Sequence, residues 1–379
     1  MASSKKEDKA EPSAPLDASA RPELDEKDEL IRTLKSKLCR CEEWIKGKEE
    51  VFEEIDIRLG TFMAWIATDP SAWGKRLQGF WSAFRQTARG DGYESGADLD
   101  CLSREQKQLV LAKLDGYYKP GLEWDELVSR LSPNARSLLP RWLITAMIFK
   151  DMADRFWTNP FWYLEDEQDG PTSTSLPAQL QSLHQEFMKV DVRQGCLWRR
   201  TTTRLSAALK RQTDYTEFGE KNRARGQELA RKWASELLAD KTFQCLLKPG
   251  ERRDAEYRLY EITGFYQEAA SLAIDISFHG YYVEFQDLRA LQPLVYHHKS
   301  DKLSLCGACR ADRTSGGGRE DGLDGREVLM IERPVMYRAG GTLELRHEVI
   351  GKAYVWVEGD PTDPDKDEQA QPVDSTEGF

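Results

Sequence analysis

The chain lacks most of the marks that announce a function. It holds five histidines in 379 residues, and only His297 and His298 are neighbours. It has no G-x-S-x-G, no phosphate-cradling G-x-x-x-x-G-K-[ST] and no H-E-x-x-H, so three common routes to catalysis leave no trace. Three glycines at 316–318 precede Arg-Glu-Asp rather than a helix start, so their amides are not set for a phosphate. The seven cysteines are odd in number and follow no framework spacing, which reads as reduced thiols. Long apolar runs are missing too. The longest, at 143–149, is far too short to span a bilayer. The first thirty residues contain no apolar core for a signal peptide, and their acids argue against a mitochondrial presequence. The expected location is cytoplasmic or nuclear.

Charge of either sign is scarce only in its net effect. Residues 1–30 carry nine acids and five bases, a net of −4, and residues 358–379 carry eight acids and one base, a net of −7. The whole chain is −11, so residues 31–357 sum to zero. Acidity belongs to the two ends, and the body has no global field that attracts a polyanion. Both ends, 1–22 and 358–379, are poor in large apolar groups and read as disordered tails.

What the chain does have is a heptad. Apolar residues recur at Ile31, Leu38, Ile45, Phe52, Leu59 and Ile66, with a second series three residues on at Leu34, Cys41, Ile55 and Phe62, broken only by Lys48. A 3-4 alternation of that length sets one seam along a helix over 23–67, about 50 Å long across the heptads. In the first half the seam is narrow and coiled-coil-like, formed by Ile31, Leu34, Leu38, Cys41 and Ile45. In the second half Val51, Met63 and Trp65 widen it.

A helical domain over 69–299 is expected next. Pro70 opens a helix with Trp73, Leu77, Phe80, Trp81 and Phe84 on one face, and Ser103 with Gln106 fits a capping box. After an interruption at 132–134, Pro140 opens a nearly all-apolar central helix that runs to about residue 156. Further helices are expected near 176–190, 193–211, 219–247, 251–279 and 286–297. A polar segment at 300–326 reads as a mobile loop, and two β-branched, aromatic runs between 327 and 357 read as a hairpin packed on the helices.

Two constellations carry chemistry. His297, His298, Cys306 and Cys309 place four zinc-type donors within thirteen residues, although a single C-x2-C is a weak signal and loop thiols beside surface imidazoles are the plainer reading. Residues 193–233 are locally basic, with Arg199, Arg200, Arg204, Arg211, Arg223, Arg225 and Arg231 among the cations. Such a stripe suits nucleic acid or anionic lipid, but a solvated face that complements acids elsewhere fits a neutral body better.

The run from Leu323 to Pro334, with Ala353 to Val357 and the FWYL segment at 161–164, resembles uncharacterised proteins of filamentous fungi. That resemblance implies an intracellular eukaryotic protein with a helical domain closed by a hairpin, and it carries no functional residue over.

The expectation is therefore a mostly α protein: a long N-terminal heptad helix, a multi-helix domain, a small C-terminal β-hairpin and disordered tails. The leading functional reading is an interaction or scaffold protein that takes a protein partner or a second copy through the heptad helix. The alternatives are a phosphate-driven binder using the basic helices, and an enzyme or small-molecule binder with a pocket in the helical domain.

Overall fold

The computed structural model describes residues 21–62, 70–164, 175–209, 215–250, 252–291, 294–309, 321–341 and 345–359. The expected tails therefore lie almost wholly outside the described residues, as does most of the loop expected at 300–326. The chain divides into two units, residues 1–59 and 60–379.

The first unit is built on α1 (Arg21–Phe62), a 42-residue helix. Ile31, Leu34, Leu38 and Ile45 of the heptad seam are between 46% and 60% exposed, and Cys41 is exposed as well. Side chains beyond Val51 in this helix lie outside the described residues.

The second unit is mostly helical. Its core is laid down by three long helices, α2 (Pro70–Asp91), α5 (Pro133–Phe156) and α10 (Arg252–Ser277). The face of α2 expected to be apolar is buried throughout: Trp73, Leu77, Phe80, Trp81 and Phe84 are at most 4% exposed. Around them lie α3 (Arg104–Lys113), α4 (Trp124–Ser129), α6 (Leu176–Val190), α7 (Val192–Ser206), α8 (Glu217–Ala239) and the single turn α9 (Lys241–Gln244). Ser103 caps α3 in the expected reciprocal box with Gln106.

One helix boundary moves. The chain does break after α4, but the central helix starts there and not at Pro140: Ser132 caps α5, Pro133 takes its first turn, and the helix continues through Pro140. Proline at the first helical position gives up an N–H that has no partner anyway. Pro140 is the costlier one, because it leaves the carbonyl of Arg136 without its helical donor. Gly96 packs directly on that carbonyl: a Cβ there would lie 2.2 Å from the oxygen.

The C-terminal region holds more strand than a hairpin. Among the described residues six strands form: β1 (Tyr281–Gln286), β2 (Leu303–Leu305), β3 (Val328–Arg333), β4 (Val335–Gly340), β5 (Arg346–Gly351) and β6 (Ala353–Val357). They make two three-stranded sheets, ordered β1-β4-β5 and β2-β6-β3. The run from β3 to β4 lies antiparallel to the run from β5 to β6, as β4 against β5 and β3 against β6. Both runs change sheet at one residue, Pro334 and Lys352. Proline has no N–H for a ladder, so a strand that meets one must end or bend. β1 and β2 then add a third strand to each half, β1 antiparallel to β4 and β2 parallel to β6. The helix expected over 286–297 does not form. β1 ends at Gln286, Asp287 caps a turn through the amide of Arg289 (3.0 Å), and Val295 bridges Glu327. Likewise 303–305 is strand rather than loop.

β3 joins sheet to helices. All six of its residues are buried, Glu332 and Arg333 included. Arg85 of α2 grips Glu332 with two bonds of 2.5 and 2.6 Å, and Trp142 of α5 donates its indole N–H to the carbonyl of Ile331 (3.0 Å). Arg333 stacks on Tyr354, 4.0 Å from the ring centre. Charged groups tolerate a buried strand only because each is paired at once.

Candidate functional site

A cavity of about 720 Å³ opens between the end of α5, one face of α6, α7 and β1. Its wall mixes aromatic surface, from Trp157 and Phe285, with polar groups. Lys150 and Asp154 on α5 pair with each other at 2.9 Å, and Arg289 pairs with Asp287 and Asp115. Two wall residues are different. Arg199 is 1% exposed, and no carboxylate among the described residues answers its charge. Its guanidinium instead donates to the carbonyls of His279 (2.7 Å), Tyr281 (2.9 Å) and Ser277 (3.5 Å) and lies over Tyr282. Burial pulls its pKa down to about 10, which leaves it cationic at neutral pH. His184 on α6 is 8% exposed and wedged against Phe161 and Trp198. Burial, and then the Arg199 charge, push its pKa down to about 4, so the ring is neutral. Its Nε2 has no hydrogen-bond partner among the described residues.

A second cluster lies at the edge of the sheets. Segments 294–298 and 324–328 run side by side, tied by Val328 N to Leu294 O (2.8 Å), Tyr296 N to Arg326 O (2.9 Å) and Gly325 N to Tyr296 O (3.0 Å). Gly325 turns the chain at φ +85°, a conformation that glycine takes without strain. This ladder sets Asp324 opposite the two histidines. Asp324 accepts from the backbone N–H of His298 (2.7 Å), lies 2.6 Å from its Nδ1 and 3.5 Å from Nε2 of His297. The imidazole rings stack with centres 5.0 Å apart. One donor atom from each of the three residues lies within 4.8 Å of the others, so the cluster can coordinate a metal ion. Desolvation works to raise the Asp324 carboxyl, but the bonds from His298 and the charge of both imidazoles outweigh it and hold the group below its ordinary value.

The four donors expected from the sequence are thus divided. His297 and His298 come together, with Asp324 as the third member. Cys306 and Cys309 lie outside that cluster, buried, with their sulfurs 3.5 Å apart. Burial, and then the neighbouring Cys309, push the Cys306 thiol well above its ordinary value, which disfavours the thiolate that a metal needs. Asp324 was out of reach of sequence reasoning. The Asp-Gly pair signals a turn, but nothing in the sequence says which residues that turn faces.

Three arginines of the basic stripe are spent on backbone carbonyls. Arg199 and Arg204 cap the C-terminal end of α10, Arg204 through the carbonyl of Phe278 (2.9 Å). Arg223 and Asn222 do the same for α7 through Ala207 (2.9 Å) and Ser206 (2.7 Å). The last carbonyls of a helix have no intrahelical donor, and cations suit that end of the dipole. Arg200 is partly buried, Arg225 pairs with Glu228 at 3.9 Å, Arg231 is exposed, and Arg211 lies outside the described residues.

Compared with protein-family models, with curated proteins and with solved structures, the chain matches none. No helix among the described residues is long and apolar enough to cross a membrane.

Proposed function

We propose that this protein binds a small molecule bearing an acidic group in the cavity between α5, α6, α7 and β1. The observation that carries the reading is Arg199, a buried cation at the wall of a cavity large enough for a ligand, bonded to backbone carbonyls and paired with no acid among the described residues. Ligand sites usually span roughly 300–1,000 Å³ and combine apolar walls with a few placed polar groups. Trp157 and Phe285 offer the apolar surface, and the lining cations Lys150, Lys189, Arg199 and Arg289 outnumber the lining acids Asp154, Glu284 and Asp287, which biases the cavity toward an anion. The ready test is a panel of small carboxylates and phosphate esters, read by tryptophan fluorescence and thermal shift. Gln185 lines the cavity from an exposed position on α6, so Gln185→Trp fills the space without disturbing the core. Saturable binding in the parent chain that is lost in Gln185→Trp supports the site. Binding that survives the substitution unchanged, or a panel with no binder, defeats it.

A second reading, self-assembly through α1, is favoured by a separate observation. The described residues of its heptad seam, Ile31 to Ile45, are exposed, and a narrow apolar seam of this period is completed by a like helix.

A further inference from the structure

We infer that His297, His298 and Asp324 form a binding site for one divalent transition-metal ion of the zinc type, with the remaining coordination positions open to solvent. The site is independent of the cavity and stands or falls without it.

Three features support this assignment. The two segments that carry the donors are held together by backbone bonds. The two adjacent histidines lie where the segment from Leu294 enters a turn (Ser300 N to His297 O, 2.9 Å), Asp324 sits on the turn that faces them, and the three ladder bonds fix the separation of the two segments. The chemistry is selective: two imidazoles and one carboxylate suit zinc, nickel, cobalt or iron, whereas calcium and magnesium prefer oxygen donors throughout. The site is also accessible. His297 is exposed at 60%, so an ion can enter and keep solvent ligands, the pattern of zinc sites with three protein ligands and an open position.

The metal-free arrangement explains what binding must change. Lys299 N donates to Nδ1 of His297 (3.1 Å), so the proton of a neutral His297 ring is on Nε2, facing Asp324. Asp324 thus receives both imidazoles. An ion entering between them replaces both N–H contacts: His298 shifts its proton to Nε2 or turns its ring, and His297 either shifts its proton to Nδ1 and gives up the Lys299 bond or turns its ring. This rearrangement lowers affinity relative to a fully preorganised site, and micromolar binding is expected rather than the far tighter binding of structural zinc.

The experiment uses the full chain, stripped with a chelator and titrated with Zn²⁺, and with Co²⁺ to read the d–d bands of the bound ion. One equivalent should bind, with a Co²⁺ spectrum of nitrogen and oxygen ligation and no thiolate charge-transfer band. His297→Ala, at an exposed position, and Asp324→Asn, which keeps the side-chain shape, should each weaken binding at least about tenfold while thermal stability stays near that of the parent. The pair Cys306→Ser with Cys309→Ser should leave the affinity for metal unchanged. The assignment is overturned if Zn²⁺ does not bind, if Ca²⁺ displaces it as an equal competitor, if His297→Ala and Asp324→Asn bind as the parent does, or if the cysteine pair alone abolishes uptake.

Discussion

His184 is held neutral by what surrounds it. Aromatic rings cover it, Arg199 stands nearby, and its Nε2 has no described partner to welcome a proton. In the unfolded chain the same imidazole titrates at its ordinary 6.5, against about 4 when folded. Between those values the unfolded chain takes a proton that the folded chain refuses, so stability falls as pH falls through that window. The contribution is complete above 6.5 and gone by about 4. His184 alone should cost about 1–2 kcal/mol between pH 7 and pH 5. Urea melts at the two pH values, on the parent and on His184→Gln, measure it: the loss should shrink by that amount in the variant. An identical loss in both proteins would place the acid sensitivity elsewhere.

At the scale of elements, α5 shows how a helix that breaks a local rule is retained. Pro140 removes a hydrogen bond from its interior, and fourteen of its residues are buried nonetheless. Burial of that size outweighs a single proline of about 3 kcal/mol. The carbonyl released at Arg136 is covered by the backbone of Gly96, where no side chain fits. Gly96→Ala should therefore destabilise the fold by about 2 kcal/mol, the usual effect of forcing atoms into a packed contact, and shift the urea midpoint without changing its slope. A midpoint equal to the parent's would mean that the short turn carrying Gly96 moves away freely. The arginines of α7 and α8 teach a related lesson. A row of cations in a sequence suggests a polyanion, yet Arg199, Arg204 and Arg223 are turned toward the carbonyl ends of neighbouring helices.

At the scale of the molecule, the exposed seam of α1 is the feature most able to alter the number of chains in the particle. If it pairs, the full chain has the mass of an oligomer in solution, and a charge on the seam abolishes it. Leu38→Asp with Ile45→Asp should convert the particle to a monomer without lowering the melting temperature of the helical domain, as sedimentation and calorimetry would show. A monomeric parent at micromolar concentration would end the self-assembly reading.

Local order was largely legible in the chain, because it depends on neighbours in sequence. The 3.6-residue rhythm of Trp73, Leu77, Phe80 and Phe84 marks α2, the Ser103 box starts α3, and α6 runs over the residues that its apolar period gives. The β-branched runs after residue 327 announced strand for the same reason. Tertiary structure alone decided what depends on distant pairs. β1 and β2 are strands because β4 and β6 offer them edges, Asp324 meets His298 across twenty-six residues, and Cys306 and Cys309 are drawn into the interior, away from the histidines they adjoin in sequence. A propensity is a property of a few consecutive residues, whereas a site needs directions in space, and those are fixed only when separate segments pack.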